Sequence, residues 1–202
     1  MSRISTASRI SILVVCGARA AVCAAGPGLP SMGPTAAPAE FYTLMAEIAR
    51  TRDEPRIAAL SYAAAARADP SLWPRAATLA AESLQPSLAY AAAQHWIALR
   101  PRSVAARRIA AAAALALYEP DAAASNYRFL IQHAGGPVEA AFAPVEEDLL
   151  AADDPYAARG VADRLAGFFP ESVAARRLQG FAALQAGDPA AAARAFRAAV
   201  AR

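Results

Sequence analysis

The block Pro101-Arg102-Ser103-Val104-Ala105-Ala106-Arg107-Arg108-Ile109 returns as Pro170-Glu171-Ser172-Val173-Ala174-Ala175-Arg176-Arg177-Leu178. The two copies start 69 residues apart (170 − 101), twice a unit of about 34. A chain that repeats at this interval stacks small units, each burying its apolar face only against its neighbours. Helix breakers recur at matching intervals from Ala39 onward: Asp53-Glu54-Pro55, Asp69-Pro70, Gln85-Pro86, Arg100-Pro101, Glu119-Pro120, Gly135-Gly136-Pro137, Asp153-Asp154-Pro155, Phe169-Pro170 and Gly187-Asp188-Pro189. Proline is tolerated in the first turn of a helix and not in its interior. Nine breakers separate ten segments, which predicts five antiparallel helix pairs.

Composition supports helices held together by their neighbours. Hydrophobic residues make up 57% of the 202, many of them alanine, the best helix former and a small one. Such pairs bury little area each and depend on stacking. All 20 basic residues are arginine, and the formal charge is only +3. No dense basic stripe appears, so nucleic acid is not an expected partner. The densest cluster, Arg100, Arg102, Arg107 and Arg108, reads as a solvated helix start. The only cysteines are Cys16 and Cys23. From Ala24 onward there is therefore no disulfide, no Cys-ligated metal site and no thiol nucleophile.

Residues 1–25 read as a signal peptide. Arg3 and Arg9 precede the apolar run Ile10–Ala18, and small residues follow through Ala25, although Arg19 interrupts the pattern. The run is too short to span a bilayer. Val15 before Cys16 and Val22 before Cys23 fit a lipidation site poorly, so a periplasmic or secreted protein is expected rather than a lipid-anchored one. Residues 26–38, rich in Gly and Pro, read as a linker, and residues 39–202 as the repeat domain.

The spaced residues resemble the tetratricopeptide repeat family. The second half of that motif, Ala-x-x-x-Phe followed by a small residue and a Pro, matches Ala58 with Tyr62, Ala123 with Tyr127, and Ala192 with Phe196. Ala89 and Ala158 keep the frame without the aromatic. These five alanines lie 31, 34, 35 and 34 residues apart. Alanine suits a close crossing of the two helices of a pair, and the aromatic one turn later fills the wedge to the next pair. Gly187-Asp188 matches the tight turn inside a pair, where glycine accepts a positive φ. The resemblance implies an all-α right-handed solenoid of about five antiparallel helix pairs. It also implies a groove lined by the first helix of each pair, with Arg108 and Arg177 at equivalent groove positions. The carboxylate clamp of some relatives needs groove Asn residues; the matching places here hold Ala112 and Phe181, so that clamp is not expected. The opening Phe41-Tyr42-x-Leu44-Met45-Ala46-Glu47-Ile48-Ala49 resembles the first repeat of proteobacterial periplasmic proteins of this family, some of which are adaptors for an envelope protease.

Other candidates resolve into packing or capping. The acidic group Glu146, Glu147, Asp148, Asp153 and Asp154 lacks the alternating ligands and Gly turn of a calcium loop. His95 and His133 lie in different pairs with no Cys or i+4 His partner, so no metal or other cofactor is expected. Trp73, Trp96 and Tyr90 suit gap filling in an alanine-rich core. No phosphate loop or nucleophile elbow is present, and an enzyme is not expected. The groove residues are Arg108, Arg177 and Phe181. The packing residues are Ala58, Tyr62, Ala89, Ala123, Tyr127, Ala158, Ala192 and Phe196. On the last helix Phe196, Ala199 and Val200 share a face expected to be exposed. The expected role is a non-catalytic scaffold or adaptor in the bacterial envelope, binding another protein or a second copy of the chain. The alternatives are a structural subunit of an envelope or secretion assembly and the repeat portion of a longer enzyme.

Overall fold

A helix whose interior excludes proline starts at the proline instead. The computed structural model describes residues 38–201 and places a proline in the first turn of seven of its eleven α-helices. The helices are α1 (Ala39–Thr51), α2 (Pro55–Ala65), α3 (Trp73–Glu82), α4 (Pro86–Leu99), α5 (Val104–Ala116), α6 (Pro120–Gln132), α7 (Val138–Ala141), α8 (Ala143–Leu150), α9 (Pro155–Phe168), α10 (Val173–Gln185) and α11 (Pro189–Val200), with a 3-10 turn over Pro70–Leu72. Among the described residues there is no strand. The expected signal peptide over 1–25, with Cys16 and Cys23, and the linker as far as residue 37 lie outside the described residues.

Helices pack in succession as an all-α stack of five pairs. Within pairs α1 lies on α2, α3 on α4, α5 on α6 and α10 on α11; between pairs α2 meets α3, α4 meets α5 and α9 meets α10. Alanine sits at the crossings: Ala58, Ala89, Ala123, Ala158 and Ala192 are all buried, as are Tyr62 and Tyr127. Having almost no side chain, alanine lets two helix axes approach closely. Buried clusters run from α1 to α10, one through α1 to α5 and a larger one through α5 to α10. The large side chains are unevenly spread. Of the eight largest fully buried ones, only Tyr62 belongs to the first two pairs.

The turn inside a pair is built the same way four times. Asp53, Leu84, Tyr118 and Gly187 adopt φ of 58°, 54°, 60° and 75°. The next residue's N–H then reaches back to a carbonyl near the helix end: Glu54 to Ala49, Gln85 to Ala80, Glu119 to Ala114 and Asp188 to Ala183, each at 2.9 Å. This is a Schellman stop, which satisfies carbonyls that the helix end leaves open. Proline follows immediately and opens the second helix. The repeated block supplies the other kind of turn. Ser103 and Ser172 cap α5 and α10, their Oγ atoms accepting from the N–H groups of Ala106 at 3.2 Å and Ala175 at 3.1 Å.

The fourth pair departs from the regular plan. Its first helix is expected as one segment between Pro137 and Asp153, but Pro144 divides it into α7 and α8. Phe142 sits at the break, fully buried, and meets Phe169 edge-on at 5.4 Å. With its own first helix shortened, α9 packs chiefly on α10 and α6.

Polar ties cross between pairs. Tyr62 donates to Glu47, and Arg75 of the next pair donates to both at 3.0 Å. Arg164 of α9 grips Asp121 of α6, and Arg159 meets Asp188 at 2.9 Å. These contacts hold three carboxyls below their usual range. The Tyr62 hydroxyl does so for Glu47, Arg164 for Asp121, and the Ala191 N–H together with Arg159 for Asp188.

Two predictions follow from these turns and ties. At Gly187 an added Cβ meets nothing within 4 Å. Gly187→Ala therefore costs only the left-handed backbone strain, about 1 kcal/mol. Leu84→Gly relieves the same strain at a side chain 87% exposed, and raises stability by up to about 1 kcal/mol. Equal effects of both changes in thermal unfolding would contradict this assignment. The second prediction concerns acid. A carboxyl depressed in the fold stabilises it above the unfolded pKa and loses that contribution as pH falls through the folded value. The melting temperature should drop as pH falls below about 5 and go on dropping through the ordinary carboxylate range, and Asp188→Asn should flatten the drop. An unchanged acid profile for that variant would argue against the Asp188 tie.

Candidate partner-binding face

Residues at i, i+4 and i+8 share one face of a helix. On α5 this row is Val104, Arg108 and Ala112; on α10 it is Val173, Arg177 and Phe181. Both rows are exposed. They differ in their surroundings.

On α5, Arg108 lines a cleft of about 310 Å³ together with Val104, Leu130, Pro144 and Asp148. Ala112 lines a second cleft, also of about 310 Å³. Tyr127 and Asp148 belong to the walls of both. The Tyr127 hydroxyl donates to Asp148 Oδ2 at 3.2 Å and so joins the second helix of pair three to the first helix of pair four. Burial pushes the tyrosine hydroxyl far up from its usual range. Burial also raises the Asp148 carboxyl, against the opposing pull of the Tyr127 hydrogen bond and of the Arg108 charge. The clefts therefore offer a cation and a partly desolvated acid over an apolar floor of Val104, Leu130 and Val145.

On α10, Arg177 is already engaged, its Nη2 lying 2.8 Å from Glu146 Oε2. Phe181 stands edge-on to Phe196 at 5.3 Å. The cleft lined by Arg108 does not include Arg177. Equivalent positions in the repeat thus have different chemistry, because pair four supplies an acid to one and a cleft wall to the other.

The expected exposed face of the last helix is divided. Phe196 is half-buried, its ring lying where a Cβ on Gly180 would collide with it. The absence of a side chain at Gly180 lets the ring fold inward onto its own pair, so Phe196 belongs with the packing residues. Ala199 is half-buried and Val200 is 86% exposed.

The remaining candidates have structural surroundings. Glu146 holds Arg177, and Asp154 caps α9 through the Tyr156 N–H at 2.7 Å. His95 stacks on Trp73 at 4.2 Å and His133 on Phe129 at 4.0 Å. Among the described residues no group of three or more His, Cys, Asp or Glu is placed to hold a metal ion, and no helix is long and apolar enough to cross a membrane. Sequence reasoning separated Tyr127, as packing, from Asp148, as a helix-end acid. A usable signal was the hydroxyl itself: a buried Tyr requires a polar partner, where Phe at the same slot does not.

No protein-family model and no curated protein matches the chain. Solved structures match in part. The MamA protein shares 17% identity, over 80% of this chain and 90% of that one, at a TM-score of 0.47. MamA from residue 41 to its end, from Desulfovibrio magneticus RS-1, shares 17% over 84% and 96%, at 0.46. Pseudomonas aeruginosa pilF shares 17% over 80% and 74%, at 0.41. By its own helix pairing and turn geometry, the described chain is an all-α solenoid of tetratricopeptide-like helix pairs.

Proposed function

We propose that the chain is a non-catalytic scaffold that binds another protein through the α5 face. The observation that carries this reading is the pair of clefts on either side of the Tyr127–Asp148 bridge, with Arg108 and Val104 on the wall of one of them. An extended peptide suits such a surface. Its backbone and charged groups meet Arg108 and Asp148, and an apolar side chain rests on Val104 and Leu130. We further propose an envelope setting, on the strength of the basic start, apolar run and small-residue exit in residues 1–25.

The test is capture from an envelope extract with the tagged full-length chain. The recovered protein should lack its first residues if the signal reading is right, which N-terminal sequencing checks. Arg108→Glu should weaken capture of the partner about ten-fold or more, the loss of one charge-assisted contact plus repulsion. Arg177→Ala should change it little, because Glu146 already occupies that guanidinium. Capture that survives Arg108→Glu would remove the α5 face from the interface.

A further inference from the structure

Both ends of the described stack present the surface that its interior junctions bury. Counting back from the left-handed residue that ends a first helix puts the repeats in common register. Five, eight and twelve residues before Tyr118 are Ala113, Ala110 and Ala106 of α5, all buried in clusters shared with α4. Five, nine and twelve before Gly187 are Ala182, Leu178 and Ala175 of α10, buried in the cluster shared with α9. These positions meet the second helix of the preceding pair. The same count from Asp53 gives Ile48, Met45, Leu44 and Phe41 of α1. All four are large, apolar and exposed, Leu44 at 59% and Phe41 at 50%.

The other end shows the matching surface. Eight residues after the anchor alanines lie Ala66, Ile97, Ile131 and Ala166, every one buried. The equivalent residue on α11 is Val200, the 86% exposed one. Four residues after the anchors, Tyr62, Ala93, Tyr127 and Ala162 are buried, while Phe196 is half-buried. The face of α11 is thus the second-helix half of a junction whose first-helix half is the face of α1. The charges also agree. Within α11 the only charged side chains are Arg194 and Arg197, and the first turn of α1 carries the acid Glu40.

We infer that a second copy of this chain is the occupant: α1 of one copy docks on α11 of the next and continues the stack as α2 continues onto α3. The contact is head-to-tail, so it leaves a free end of each kind and adds copies without closing at two. It uses neither Arg108 nor the clefts, so it stands or falls independently of the peptide-binding reading.

Sedimentation of the full-length chain across a wide concentration range tests this. The wild type should gain mass with concentration beyond a dimer. Ile48→Glu removes one end and Val200→Glu the other, so each variant alone should stay monomeric. Mixed in equal amounts, they should form a heterodimer and nothing larger, because each retains the end that the other lacks. Leu44→Arg should repeat the behaviour of Ile48→Glu, and circular dichroism should show all variants as helical as the wild type. A wild type that stays monomeric throughout overturns the inference. So does a Val200→Glu variant that still self-associates, which indicates a symmetric α1–α1 contact, and so does a mixture that remains monomeric.

Discussion

The distance between crossing helices, set by alanine, is what the rest of this structure depends on. Ala58, Ala89, Ala123, Ala158 and Ala192 are buried at equivalent places on the second helices of the five pairs, and a side chain this small lets helix axes approach closely. Close approach has a cost in driving force, because alanine removes little apolar area from water. Each pair is then too weak to stand alone. Its stability comes from the tyrosine, leucine and phenylalanine side chains that fill the wedges between pairs, and from hydrogen bonds such as Arg75 to Tyr62 that cross them. The same economy makes a repeat surface unstable when left uncovered, which is the condition of Phe41 and Leu44 on α1 and of Val200 on α11.

The repeat frame was legible because proline and alanine act locally. A proline after an acidic residue marks the start of a second helix whatever packs above it, and the recurring Ser103 and Ser172 cap α5 and α10 in the same way. The left-handed stops at Leu84 and Tyr118 were not legible. Glycine advertises that conformation at Gly187, but leucine and tyrosine disfavour it and are held there by the two backbone hydrogen bonds of the Schellman stop. Pro144 was legible as a residue but not as a break, since a proline can also stand inside a loop. The groove was legible only in part. Register placed Arg108 and Arg177 on equivalent faces, yet it carried no information on which arginine meets an acid from a neighbouring pair. Glu146 is 31 residues from Arg177, and Asp148 is 21 from Tyr127. Separations of that size are decided by the stacking of pair four.

Pair four is where the regular repeat plan is lost, beside the proposed binding face. Its first helix is divided at Phe142 and Pro144, and its second segment carries Asp148, which accepts from Tyr127 where the two clefts adjoin. The buried ring of Phe142 anchors the break, so the irregularity is well packed. Burial raises the Asp148 carboxyl, while the Tyr127 hydrogen bond and the Arg108 charge pull it back.

Native-state hydrogen exchange measures most directly whether stability passes from pair to pair. Because the large buried side chains concentrate from Tyr127 onward, amide protection should be highest in α6, α9 and α10 and should fall stepwise through α4 to α1, with distinct opening free energies for successive pairs. A single opening free energy shared by all helices, or the strongest protection in α1 and α2, would contradict the account.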